Sequence, residues 1–232
     1  MPERDADPYK DKYNRTSHLP LLSRIYCTNE NFGGVILLID IPYDRARAVE
    51  YARRWALSRN PLFTDFTGRG GNCTNFVSQC ILAGAPVMNY TQTYGWYYIS
   101  EAERAPAWSS VESLYDFLIG IPEFADANGG IGPFAMLARN MRQVEVGDVV
   151  QLANSTGDFY HTLIISGFDG GEILVCAHSD DALDRPLSTY NYASLRVLHI
   201  MGARINFPTE RAFDDLLNGI SLPPMPSASE NM

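Results

Sequence analysis

The chain is short of cysteine, of histidine and of long apolar runs, and each shortage narrows what it can be. Four cysteines (Cys27, Cys73, Cys80 and Cys176) are spread over 232 residues without a CxxC pair. That spacing argues against a structural zinc site and against a dense disulfide framework, and it fits reduced thiols in a reducing compartment. No apolar run approaches bilayer length; the longest is Gly34 to Ile39, too short even for the core of a signal peptide. A cytoplasmic, non-membrane protein is therefore expected. Basic residues are also scarce: 18 Lys and Arg against 27 Asp and Glu give a formal net charge of -9. An acidic surface repels polyphosphate, so nucleic acid is not an expected partner. The one basic pair, Arg53-Arg54, falls within a helical pattern and reads as a solvated face.

What is present is an ordinary globular composition, 46% hydrophobic and 19% charged, in a chain long enough to bury a sizeable core. Three parts are expected: an N-terminal arm over residues 1–42, a catalytic domain over 43–205, and a C-terminal helix and disordered tail over 206–232. Within the arm, Gly33 to Ile39 reads as a short buried strand. Tyr43, Ala46, Val49, Tyr51 and Trp55 recur at near-helical spacing, with Asp44 placed to cap and Asn60-Pro61 placed to stop. A glycine-rich loop, FTDFTGRGGN, runs directly into a second helix, CTNFVSQCILAG. There Cys73, Phe76, Val77, Cys80 and Ile81 share one face. Val111 to Ile119 is a third helix with Ser109 or Ser110 as its cap, and Asp126 to Pro133 reads as a loop. Strands follow at Val149–Leu152, Phe159–Ser166, Glu172–His178 and Leu195–Ile205, and Thr209 to Leu217 is a final helix. Helices first and an antiparallel meander second make an α+β pattern.

Cys73 is the candidate nucleophile. Attack needs the thiolate, and the unpaired amide hydrogens at a helix start stabilise one. The glycines before it leave room for a substrate backbone, and its own amide could meet an oxyanion. Cys80, two turns on along the apolar face, reads as a core thiol. A base is required, and there are only four histidines. His161 opens one strand and His178 closes the next. With a regular hairpin turn centred on Asp169-Gly170, the two would be cross-strand neighbours with Cβ atoms about 5 Å apart. His161 would then take the thiol proton and His178 would orient it, with Asp180 as the alternative orienting group. A bulge would break that register. His199 has no evident partner, and His18 lies in the N-terminal arm. Asn72 and Asn75 suit helix capping and a place in the site equally. Trp96, Tyr97 and Tyr98 suit either a cleft wall or core packing.

GGNCTNFVSQCILAG, preceded by YDRARAVEYARRWALSRNP and followed by GWYY, PAWSSVESLYDFL, GDVVQL and HTLIISG, resembles an amidase domain found in many bacterial proteins. The resemblance covers roughly Tyr43 to Ile205. That family is similar in turn to the papain-like NlpC/P60 and CHAP hydrolases. It implies a papain-like fold, a cysteine at a helix start, a Gly-Asp strand (Gly147-Asp148), a histidine strand (His161) and a third residue ending the next strand (His178). It implies hydrolysis of an amide bond in a peptide or acyl-amino substrate through a thioester, with no metal or cofactor. Asn72 stands where aspartate is frequent in NlpC/P60 enzymes. The papain oxyanion glutamine has no clear counterpart here; Asp65 and Thr67 are its stand-ins. Two other functions remain open: an acyltransferase or transpeptidase using the same Cys-His machinery, and a non-catalytic binding module of the same fold.

Overall fold

The computed structural model describes residues 37–207 and Asn218. Cys27, His18, the expected helix at Thr209–Leu217 and the C-terminal tail lie outside the described residues. Two long helices come early, α1 (Arg45–Trp55) and α2 (Cys73–Gly84), followed by α3 (Pro106–Ser109), α4 (Val111–Ile119) and α5 (Pro122–Asn128). Asp44 caps α1 by accepting from the Arg47 amide at 3.0 Å, and Ser110 caps α4 through the Ser113 amide. α1, α2 and α4 form where the apolar spacing places them, whereas α3 and α5 were not expected, and α5 takes in the start of the Asp126–Pro133 segment read as a loop.

The strands are β1 (Leu37–Ile41), β2 (Gly132–Leu137), β3 (Val149–Ala153), β4 (Phe159–Asp169), β5 (Glu172–Ala177), β6 (Ala182–Pro186) and β7 (Ser194–Phe207). They make one sheet in the order β1-β7-β3-β4-β5-β6, with β2 also paired to β7, and every pairing is antiparallel. The architecture is therefore α+β. The sheet takes in Leu37–Ile41, which the sequence assigns to the N-terminal arm, and Gly132–Leu137, whose start it assigns to a loop.

Alternation along the strands divides the core in two. Val149, Ile164, Cys176 and Leu198 face the helices and pack with Ala48, Ala52, Phe76, Val77, Cys80, Ile81, Trp96 and Trp108. Val150, Leu152, Leu163, Ile165, Val175 and Ala177 face the other way, under Leu187 and Tyr190. Helix α2 is enclosed on all sides: even its polar Thr74, Asn75, Ser78 and Gln79 are buried.

The β4–β5 hairpin departs from the expected register. Its two-residue turn is Gly170-Gly171, both with positive φ (54° and 91°), the conformation that glycine supplies to a tight hairpin. Ser166 is then an extra residue: Ile165 pairs with Val175 but Gly167 pairs with Leu174. Extending the Ile164–Cys176 pairing by two residues sets Thr162, not His161, opposite His178. A one-residue slip exchanges the faces of a strand, so the two histidines lie on opposite sides of the sheet.

Candidate active site

Cys73 is the first residue of α2, and it is buried to 7% exposure. The loop before it turns through Gly70 and Gly71 at φ of 101° and 102°, a conformation that strains any residue with a side chain. The Asn72 amide that follows donates a 2.6 Å hydrogen bond to Ser179 Oγ. The glycines thus let the loop close against the end of β5 and deliver Cys73 to the sheet.

Asn72 is the hub of the arrangement. Its Oδ1 accepts from the Phe66 amide (3.1 Å) and from Asn75 Nδ2 (2.7 Å), so its Nδ2 is the atom that faces His178 Nδ1, at 2.8 Å. The opposite ring nitrogen, His178 Nε2, lies 2.8 Å from the Trp55 carbonyl, which can only accept. His178 is therefore the neutral tautomer with its proton on Nε2. Burial pushes its pKa below the ordinary value and keeps it neutral, and its ring stacks on Phe76 with centroids 3.9 Å apart. Asn75 continues the network, accepting from Trp108 Nε1 at 2.8 Å and donating to the Thr64 carbonyl at 3.0 Å.

Neither asparagine caps α2. The first helical bond runs from the Phe76 amide to the Asn72 carbonyl (3.0 Å), and the Asn72 side chain makes no capping bond. Among the described residues, the amides of Cys73, Thr74 and Asn75 meet neither a backbone acceptor nor a capping side chain. Cys73 thus belongs to the first turn of a twelve-residue helix, at its positive end, together with these three N–H donors. Cys73 Sγ itself lies 3.8 Å from Thr74 Oγ1, which lies 3.0 Å from Thr162 Oγ1 on β4.

His161 is placed otherwise. It pairs with Leu152 and faces away from α2, its ring 5.9 Å from that of Tyr190. Among the described residues no hydrogen bond reaches either ring nitrogen, and none joins His161 to Cys73 or to His178. Burial drives its pKa from 6.5 down to about 4, with the charge of Asp180 opposing and that of Arg185 adding to the fall. The orienting bond expected from His178 to His161 is absent, because both ring nitrogens of His178 are engaged elsewhere. Asp180 lies on the His161 side, but its carboxylate forms a 2.6 Å ion pair with Arg185.

Trp96 has no exposed surface: it packs on Trp108 and Phe117 and donates to Ser78 Oγ, so it is core rather than cleft wall. Asp65 holds Thr67 through its amide and hydroxyl (2.9 and 2.6 Å) and pairs with Arg59. Its burial would raise its pKa, but those partners hold it below the usual carboxylate value; an ionised carboxylate is no oxyanion donor. His199, expected to lack a partner, lies 2.9 Å from the buried Asp148. Ser179 and Thr162 were not singled out in the sequence. Their positions, directly after one strand histidine and after the other, are the only signal they carry.

The neutral, buried state of His161 predicts a pH dependence of stability. In the unfolded chain this group binds a proton below about pH 6.5, whereas in the folded chain it does so only near pH 4. The folded state is therefore penalised progressively as pH falls from 6.5 to 4, by roughly 3 kcal/mol in all. Urea midpoints measured across that window should fall less steeply in His161→Asn than in the parent chain. Parallel curves would contradict the burial of a neutral imidazole.

Among the described residues, no helix is long and apolar enough to cross a membrane. No solved structure matches the chain. It is 30% identical over 143 residues to the uncharacterized protein YhbB of Bacillus subtilis (strain 168), a match covering 60% of this chain and 42% of that protein. The chain thus spans less than half the length of this relative. Residues 42–201 match the family described as "Putative amidase domain", a stretch that runs from before α1 into β7 and contains Cys73, His161 and His178. The chain belongs to this amidase-domain family.

Proposed function

We propose that the protein is a cysteine amidase of papain-like design, with Cys73 as nucleophile and a peptide or acyl-amino compound as substrate. The observation that carries this reading is the bare start of α2, where a thiol shares the first turn with three amides that meet no acceptor among the described residues and the residue before it is fixed by hydrogen bonds on every polar group. The thiolate attacks the amide carbonyl carbon, and the oxyanion that forms is met by the amides of Cys73 and Thr74. The C–N bond then breaks, the amine leaves with the proton first taken from the thiol, and a thioester remains. Water attacks the thioester, releases the acid and restores the thiol.

His161 is assigned the proton transfers. Its ring nitrogens are uncommitted among the described residues, and its imidazole is neutral at pH 7 and able to accept. His178 cannot accept at Nδ1 without losing Asn72, so it is a positioning residue that fixes Asn72 and thereby the start of α2. The imidazole of His161 must reach the α2 side for this chemistry. Its present place favours, as a second reading, a binding module that keeps the fold without the reaction.

Intact-mass analysis during turnover of activated acyl amides separates the two. The amidase reading expects an acyl adduct that maps to Cys73 and decays in water to free acid. Free acid formed without an adduct in Cys73→Ala, at the parent rate, would exclude Cys73 as nucleophile. Absence of both adduct and product across peptide and acyl-amide panels would favour the binding module.

A further inference from the structure

The strand that carries His161 has an extra residue beside it. On β4, His161 pairs with Leu152 but Phe159 pairs with the next residue, Ala153, so Tyr160 has no partner in the ladder. Two facts show what this bulge does to the side chains. Phe159 and Thr162, three apart, would face opposite ways in a regular strand. Here both face the helices: the Arg196 guanidinium lies 3.7 Å from both the Phe159 ring and the ring of Tyr115 on α4, and Thr162 Oγ1 meets Thr74 Oγ1 of α2. Between them, Tyr160 and His161 both face the other way, their rings 9° from parallel with centroids 6.2 Å apart. The Tyr160 hydroxyl donates to the Asn191 carbonyl at 2.9 Å and ties this pair down.

We propose that Tyr160 is a positioning residue for the reaction assigned to Cys73, and that moving the bulge one residue along, from Tyr160-His161 to His161-Thr162, turns the imidazole to the Cys73 side. This inference rests on the amidase reading. The geometry makes the move local. Phe159 and Thr162 keep their faces in both arrangements; Tyr160 keeps its face but takes the place of His161 opposite Leu152, which draws its hydroxyl from the Asn191 carbonyl; and His161 alone changes sides. Bulges commonly re-aim one side chain next to a reactive site. The structure shows the arrangement in which the base is withdrawn, with its imidazole against Tyr190 and near the Asp180–Arg185 pair. Substrate that contacts the turned imidazole would stabilise the other arrangement, so the base would be delivered only when there is a bond to cleave. Tyr160 is 47% exposed and its tie is a single hydrogen bond, so the withdrawn state is held by that bond and by the packing of His161 against Tyr190.

The test uses the full chain and the variant Tyr160→Phe, which keeps the ring and removes the tie. The rate of Cys73 alkylation by iodoacetamide is followed at pH 6 by peptide mapping. Loss of one net hydrogen bond should raise the turned population, and with it this rate, about fivefold. The gain should vanish in the double variant Tyr160→Phe/His161→Asn, which falls back to the rate of a thiol that loses its proton to solvent, because the gain comes from the turned imidazole. An unchanged rate in Tyr160→Phe, or a gain that survives the loss of His161, would overturn the proposal. In either event, loss of amide hydrolysis in His161→Asn would leave the amidase reading standing, while full hydrolysis by Cys73→Ala would remove that reading itself.

Discussion

Replacing Cys73 with alanine should lower kcat/KM for amide hydrolysis by roughly a thousandfold or more while leaving the fold intact. The change removes one sulfur atom from a site whose structure is held by its neighbours. Asn72 is anchored through Phe66, Asn75, His178 and Ser179 by hydrogen bonds that do not involve the thiol. The stability cost should therefore be about 1 kcal/mol or less. Cys80→Ala is the informative contrast. Its thiol has no exposed surface, and burial raises its pKa well above the ordinary value, so it is inert and packed. That variant should lose stability and keep its kcat. Kinetics with the same acyl amide, set beside urea unfolding of both variants, give the comparison. Equal losses of activity in the two would mean that Cys73 matters only for packing.

The helices that position Cys73 were legible because their apolar residues repeat at helical spacing and their ends carry recognisable punctuation. Asp44 and Ser110 act as caps where they were read, and α2 runs over the residues the pattern marked. Strand existence was legible for β3, β4, β5 and β7, which are apolar runs between turn signals. The short pieces were not. β2 begins at Gly132-Pro133, residues that look like a turn, and β6 reads Ala-Leu-Asp-Arg-Pro, too polar and too brief to register. The relation of His161 to His178 was lost for a different reason. Strand faces follow a period of two only along an unbroken ladder, and β4 carries extra residues at both Tyr160 and Ser166. Neither residue type announces a bulge. Asn72 and Asn75 suited capping and a place in the site equally for another reason. Polar side chains at a helix start suit capping by default, and only the arrival of His178, Thr64 and Trp108 from distant segments turns them into a buried network.

The largest loss of stability should come from Asp148, which has no exposed surface and holds the helical layer to the sheet. Its Oδ1 accepts from Arg45 Nη1 (2.6 Å) and from the Ile200 amide (3.1 Å); its Oδ2 accepts from the Glu145 amide (2.9 Å) and meets His199 Nδ1 (2.9 Å). Arg45 of α1 also donates to the carbonyls of Val146 (2.9 Å) and Ile200 (2.7 Å). One carboxylate thus joins α1, the entry to β3 and the middle of β7. Asp148→Ala leaves a guanidinium, an imidazole and two amides without their acceptor, and breaking a buried pair in this way costs about 3–5 kcal/mol. Asparagine should rescue little, even though it is nearly the same shape. The Arg45 guanidinium and the Ile200 and Glu145 amides can only donate, so whichever way the amide is turned its NH2 group faces at least one of them. Asp180→Asn supplies the control, since it breaks the exposed pair with Arg185 and should change stability by less than about 1 kcal/mol. Thermal unfolding should place Asp148→Asn roughly 10 °C below the parent chain and Asp180→Asn within a few degrees of it. A tolerated Asp148→Asn would mean that packing and the bonds from Arg45 to the Val146 and Ile200 carbonyls suffice to join α1 to the sheet, and that β3, the partner of the strand bearing His161, is aligned without this carboxylate.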